Sequence, residues 1–294
     1  MEIKKVGVVG LGIMGSGIAQ ISAEAGFDTL GHEINLEYLN KGIKIIEDSL
    51  NRGIAKGKYE KSYKDEVLAK LKGATDPKEL SDCDLIIEAI TENLELKKEL
   101  FRKLDDICNK KTIFATNTSS FSITELAVCT SRLEKFVGMH FFNPAQVMKL
   151  VEIVQTLVVS RETINTVFNY ALSMKKQPIL VKDSHGFVVN ILLNPYFVEA
   201  VRLLEQGIAS VQDIDQAMKL GAGYPMGPFT LMDLAGLDTL VSAFDYTYNV
   251  YKDRKYAPPL LMRKMVQLGY LGRKSGKGFY DYSTDPPQPV NLNI

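Results

Sequence analysis

The chain is short of the residues from which several kinds of site are built. Among its 294 residues are three cysteines, Cys83, Cys108 and Cys129, and three histidines, His32, His140 and His185. The cysteines are far apart, odd in number and form no CxxC, which argues against a disulfide framework and a cysteine zinc site. A reducing compartment, the cytoplasm, is the expectation. Net charge is absent, because 35 basic residues balance 35 acidic ones. No basic excess is available to neutralise nucleic-acid phosphates or an anionic membrane surface. Long unbroken apolar runs are also missing. The longest apolar region, 186–204, is interrupted by Asn190, Asn194, Pro195, Glu199 and Arg202. It reads as a buried amphipathic helix rather than a membrane span. The first residues, MEIKKVGVVG, enter a strand-like run directly, so no secretory or transit leader is expected.

What remains is an ordinary globular composition, 46% apolar and 24% charged, with length enough for two domains. Residues 3–9 form a β-rich run without alternation, as in a strand buried on both faces. It leads into GLGIMG, that is Gly10-x-Gly12-x-x-Gly15, then a helix of small and apolar residues closed by Gly26, then a strand over 28–32 ending at Glu33. Alone, GxGxxG is a weak signal. Between a strand and a helix, with an acidic residue ending the next strand, it matches the dinucleotide-binding fingerprint. Gly10 permits the tight turn, Gly12 lets the backbone approach a pyrophosphate, and Gly15 allows close helix–strand packing. Glu33 would accept from the ribose hydroxyls and repel a 2′-phosphate, which favours NAD over NADP. His32 reads as a loop or surface histidine.

Residues 36–72 are charged and helical in period, with a break over 52–59. They suggest a helical hairpin whose tip gathers Arg52, Lys56 and Lys58, either a solvated face or a clamp for an anionic substrate. Strands are expected over 84–90, 112–116, 136–140, 150–154 and 178–181, with helices over 93–108 and 162–174. Ser122 and Glu125 form a capping box for a short helix. From Asp183 onward no strand-like run is evident; helices are expected over 186–206, 211–220, 228–250 and 259–268. The fold class is therefore α/β: a Rossmann-type doubly wound, mostly parallel sheet over 1–183, an all-helical domain over 184–284, and a Pro/Asn-rich, disordered tail over 285–294.

The stretch GMHFFNPAQVMKLVE, 138–152, holds His140 near a strand end and Glu152 in the following strand. A histidine beside a carboxylate is the arrangement of a general base and its orienting acid; a hydrogen-bonded core histidine and a surface glutamate would read the same way at this level. Strand ends carrying Asn117, Ser119 and Glu92 fall on the edge where ligands bind in open α/β sheets.

Taken together, VGVVGLGIMGSGIAQ, DCDLIIEAITENLELKKELF, ATNTSSFSITELA, GMHFFNPAQVMKLVEIV, GFVVN and LGRKSGKGFYDY resemble the 3-hydroxyacyl-CoA dehydrogenases, most of all the short bacterial 3-hydroxybutyryl-CoA dehydrogenases, from Lys4 to about Tyr282. The resemblance implies reversible oxidation of an (S)-3-hydroxyacyl-CoA to the 3-ketoacyl-CoA with NAD. It implies His140 as base, Glu152 as its orienting carboxylate, Ser119 as hydrogen-bond partner of the reacting oxygen and Asn190 as a substrate-positioning residue. Implied cofactor contacts are Gly10, Gly12, Ile13, Met14, Gly15, Glu33, Glu92, Lys97, Asn117, Asn143 and Lys274. Arg52 and Lys56 match the CoA-binding basic residues. The helical domains of this family pair into a homodimer. Fatty-acid and butanoate metabolism are the implied settings, with no metal, nucleic-acid or membrane partner. Two departures stand out: His185 where the family usually has proline, read as a hinge or surface residue, and Ile191 where many relatives carry arginine. A dehydrogenase of a free hydroxy or sugar acid, and a non-catalytic NAD-binding protein, are the competing readings.

Overall fold

The computed structural model describes residues 1–292. The chain divides into two compact units, Met1–Phe187 and Val188 onward. The first runs β1 (Lys5–Val9), α1 (Ile13–Glu24), β2 (Asp28–His32), α2 (Leu36–Ala55), α3 (Lys61–Ala69), β3 (Leu71–Ala74), β4 (Leu85–Glu88) and α4 (Leu94–Ile107). It continues with β5 (Ile113–Thr116), α5 (Ile123–Ala127), β6 (Phe136–Phe141), β7 (Leu150–Gln155), α6 (Arg161–Ser173) and β8 (Gln177–Lys182). Among the described residues these strands form one sheet in the order β3-β2-β1-β4-β5-β6-β7-β8. Neighbours are parallel except β6 and β7, so β7 and β8 run against the rest. The order reverses between β1 and β4, which is the switch point where such sheets open a crevice for ligands.

Alternate residues of the central strands feed cores on opposite faces of the sheet. Val8, Ile87, Ala115 and Met139 join Ile18, Ile46 and Val167 of α1, α2 and α6. Val9, Ile86, Phe114 and Phe136 join Phe101, Leu104 and Leu126 of α4 and α5. Burial on both faces explains the continuous apolar runs in sequence. Local chemistry starts the helices: Asn35 caps α2, Asn93 caps α4 and Ser160 caps α6, each accepting a backbone N–H from the first turn.

The second unit comprises α7 (Val189–Glu205), α8 (Val211–Gly221), α9 (Pro228–Ala235), α10 (Leu237–Tyr251) and α11 (Leu260–Gln267), with a short hairpin of β9 (Tyr280–Asp281) and β10 (Gln288–Pro289). Phe197, Val201, Phe229, Met232 and Phe244 centre its core. Among the described residues no helix is long and apolar enough to cross a membrane.

Several expectations need correction. Helical period does not reach residue 72: α3 stops at Ala69, and Leu71–Ala74 pairs with β2 as an edge strand. A four-residue strand with one free edge leaves too short a pattern to read. The single helix expected over 228–250 is two, broken at Gly236, whose φ of 96° is outside the helical region. The tail is not structureless from Asp285: Gln288 and Pro289 pair with Asp281 and Tyr280, and Val290 N–H donates to the Phe279 carbonyl. The expectation for residues 293–294 lies outside the described residues. The first unit also extends past Asp183 to Phe187, because Phe187 is buried in the core shared with Phe101 and Phe136.

Candidate active site

The glycine turn follows β1 at the switch point. Gly10 has φ +90°, and a Cβ there would meet the Ala89 backbone at 2.9 Å. A Cβ on Gly15 would lie 1.7 Å from the Gly10 carbonyl oxygen, so helix and turn touch through bare backbone. Gly12 faces open space, with nothing within 4 Å of its virtual Cβ. No side chain caps α1, unlike α2, α4 and α6, and Ile13 is exposed beside this end. Unclaimed N–H groups and a positive helix end fit a pyrophosphate. Glu33 is held over the turn: its Oε1 accepts the Leu11 N–H at 2.6 Å and its Oε2 the Ile34 N–H at 3.2 Å. The donor set and the open Gly12 surface fit a dinucleotide. Next to Glu33, His32 is buried in β2 rather than on a loop or surface, which corrects the sequence expectation. Gly7 and Gly31 in the adjoining strands make room for neighbouring side chains: a Cβ would lie 2.6 Å from Leu80 and Ile86 at the first and 2.8 Å from Leu11 at the second.

Glu88, at the end of β4, and Lys97, in the first turns of α4, are buried and joined at 2.6 Å. Lys97 also reaches Glu92 at 3.2 Å. Burial pushes the Glu88 carboxyl up in pKa, and the Lys97 ammonium opposes that shift. Glu92 accepts the Thr118 hydroxyl and, at 3.2 Å, the Ser119 N–H. Asn117 spends its side-chain oxygen on the Phe141 N–H at 2.9 Å, tying the loop after β5 to the end of β6.

His140 and Glu152 are direct partners in the antiparallel β6–β7 register, so their side chains share one face. The His140 Nδ1 lies 2.6 Å from Glu152 Oε2, both residues buried. A carboxylate there keeps the proton on Nδ1 and leaves Nε2 with a lone pair to accept a proton. The rings of Phe142 and Phe187 stand 4.5 and 5.5 Å from the imidazole, centre to centre. Such a pair can take a proton from a hydroxyl and hold the resulting cation.

Other expected residues are more dispersed. Asn143 is exposed in the loop between β6 and β7, and Met14 is partly buried in the first turn of α1. Arg52 and Lys56 are exposed at the end of α2, with no ion pair among the described residues. Asn190 and Lys274 belong to the second unit; Asn190 is in the first turn of α7, and Lys274 donates to Asp238 at 2.7 Å. His185 bonds the Ser120 carbonyl at 3.2 Å, which requires its proton on Nδ1.

Three residues escaped the sequence reading. Glu88 looked like part of an apolar strand. Asp183 accepts Ser122 Oγ–H at 2.9 Å and the Ile123 and Thr124 N–H groups at 3.0 and 2.7 Å, anchoring the start of α5. Lys176 donates to the Ala145 and Met148 carbonyls and braces the loop that carries Asn143. Only the strand-end position of Asp183 hinted at such a role.

Comparison with known proteins finds a family match along nearly the whole chain. A family model described as 3-hydroxyacyl-CoA dehydrogenase, NAD binding domain, matches residues 5–184, and one described as its C-terminal domain matches residues 186–282. A 3-hydroxybutyryl-CoA dehydrogenase of Clostridioides difficile is 44% identical over 95% of this chain and 99% of its own length. The mitochondrial hydroxyacyl-coenzyme A dehydrogenase of Sus scrofa is 44% identical over 95% of this chain and 91% of its own. The solved (S)-3-hydroxybutyryl-CoA dehydrogenase of Ralstonia eutropha superposes with a TM-score of 0.93 at 45% identity, covering 96% of this chain and 100% of that one.

Proposed function

The chain belongs to the 3-hydroxyacyl-CoA dehydrogenase family of NAD-dependent oxidoreductases, and from that premise we propose that it interconverts (S)-3-hydroxybutyryl-CoA and acetoacetyl-CoA. The observation that carries the reading is the buried His140–Glu152 pair on adjacent strands. In oxidation, His140 Nε2 accepts the 3-hydroxyl proton while Glu152 stabilises the imidazolium; in reduction the same nitrogen returns the proton. Ser119 and Asn190 offer neutral hydrogen bonds to the substrate oxygens without adding charge. NAD, when bound, supplies the hydride chemistry. The glycine turn, the uncapped start of α1 and Glu33 would hold it, with Glu92, Lys97, Asn117, Asn143 and Lys274 as further contacts. The Glu33 carboxylate disfavours a 2′-phosphate, so NAD is preferred over NADP.

Arg52 and Lys56 support a CoA thioester over a free hydroxy acid. Exposed cations without carboxylate partners suit the phosphates of CoA. We also infer a homodimer built on the helical unit, whose α7 leaves Leu192 and Leu203 exposed. A cytoplasmic setting agrees with three free cysteines.

The test is NADH oxidation in the presence of acetoacetyl-CoA. His140→Gln should lower kcat by roughly 100-fold or more, the usual weight of a positioned general acid. Replacing Arg52 and Lys56 by alanine should raise KM for acetoacetyl-CoA and leave that for free acetoacetate unmoved. No turnover by the wild type, or an undiminished rate in His140→Gln, overturns the proposal.

A further inference from the structure

The segment that carries Ser119 is reached from Glu88 by two routes. Glu88 is the last residue of β4 and fully buried. Its Oε2 accepts the Thr116 hydroxyl at 2.6 Å, and Thr116 Oγ1 in turn accepts the Thr118 N–H at 3.2 Å. Its Oε1 accepts the Ile90 N–H at 2.8 Å and the Lys97 ammonium at 2.6 Å. Lys97, 1% exposed, pairs with Glu92 at 3.2 Å, and Glu92 accepts from the Thr118 hydroxyl and the Ser119 N–H. The Glu88 backbone carbonyl also accepts the Asn117 N–H at 2.8 Å. Hydroxyl and ammonium routes therefore converge on residues 118 and 119.

A buried carboxylate is costly unless its lone pairs are taken and a cation is close. Glu88 meets both conditions, so the cluster is rigid. Removing its charge leaves Lys97 with Glu92 as its one carboxylate partner among the described residues, beside the Ile90 carbonyl at 3.4 Å. Glu92 holds Thr118 and Ser119 through Oε1 and Lys97 through Oε2, so losing the Glu88 charge would pull it toward the ammonium and away from Thr118 and Ser119.

We propose that Glu88 is a positioning residue for Ser119, acting through the Thr116 hydroxyl and the Lys97–Glu92 pair. This rests on the reading of Ser119 as the hydrogen-bond partner of the reacting oxygen. It gives the buried Lys97 a second task beyond any cofactor contact, that of a strut between two carboxylates.

A double-mutant cycle on the full-length protein tests it, with kcat for acetoacetyl-CoA reduction as the readout. Glu88→Gln and Thr116→Val, made singly, should each lower kcat by about 10- to 100-fold, the order expected when a reacting contact moves by about 1 Å. In a Ser119→Ala background the same substitutions should lower kcat no further. A structural role predicts equal losses in both backgrounds, and that result overturns the relay while leaving the Ser119 assignment intact. An undiminished kcat in both single variants overturns it as well. Wild-type kcat in Ser119→Ala removes the Ser119 assignment, and the relay with it. If Glu88→Gln does not fold, Thr116→Val decides alone, since it removes one hydroxyl and keeps the side-chain shape.

Discussion

His32 and His140 lie near the ends of two strands of one sheet, and both are 6% exposed. Their surroundings assign them different behaviour. His140 faces the Glu152 carboxylate across the register, an arrangement that can carry a proton. His32 is dominated by burial, which pushes its pKa down, with the neighbouring Glu33 pulling weakly the other way. The sign for stability follows directly. The unfolded chain takes up a proton at His32 below about pH 6.5, whereas the folded protein resists until a lower pH. Stability from this group is present above pH 6.5 and is lost as pH falls through the folded-state value. Thermal unfolding of His32→Leu should therefore vary less between pH 7.5 and pH 5 than that of the wild type, by at most about 1.4 kcal/mol per pH unit. Equal variation in both proteins removes His32 from the acid response.

At the scale of elements, the β6–β7 pairing determines whether there is a site at all. A slip of one residue would turn His140 and Glu152 to opposite faces. The loop joining these strands is braced by Lys176, and the loop after β5 by Asn117 and the Glu88 cluster. Helix α5 extends this scaffold. Its first amides end on the Asp183 carboxylate, which sits just beyond β8. Asp183→Ala should cost roughly 1–2 kcal/mol in chemical denaturation, the range of a lost helix cap. Hydrogen exchange at Ile123 and Thr124 should accelerate with it. Unchanged exchange at those two amides would show that the carboxylate does not anchor the helix.

At the scale of the whole molecule, both units keep large apolar residues on their surfaces, Leu157 and Val147 in the first and Leu192 and Leu220 in the second. In the helical unit, Phe229, Met232, Leu237 and Phe244 turn into their own core, so the segment 229–250 offers less interface than its composition suggests. Leu192 and Leu203 of α7 stay exposed, as do Leu220 and Leu260. Exposed large apolar residues on one unit suit a two-fold contact. Sedimentation should give a dimer at micromolar concentration, and Leu192→Asp with Leu203→Asp should shift it to monomer. A monomeric wild type removes the dimer and leaves the chemistry assigned to His140 untouched.

Much of this protein was legible in its residues because the signals are local. The Gly10-x-Gly12-x-x-Gly15 turn, the strand ending at Glu33, and the cap Ser122 each depend on neighbours within a few positions. Those features located the nucleotide-binding half and most of its elements. The edge strand at 71–74 and the hairpin at 288–289 were not legible, because their stability comes from distant partners rather than their own pattern. Tertiary structure alone decided that His140 and Glu152 meet at 2.6 Å, that His32 is buried, and that Glu88 and Lys97 form a dry ion pair behind Ser119. Each depends on strand order and register, which bring together residues far apart in the chain.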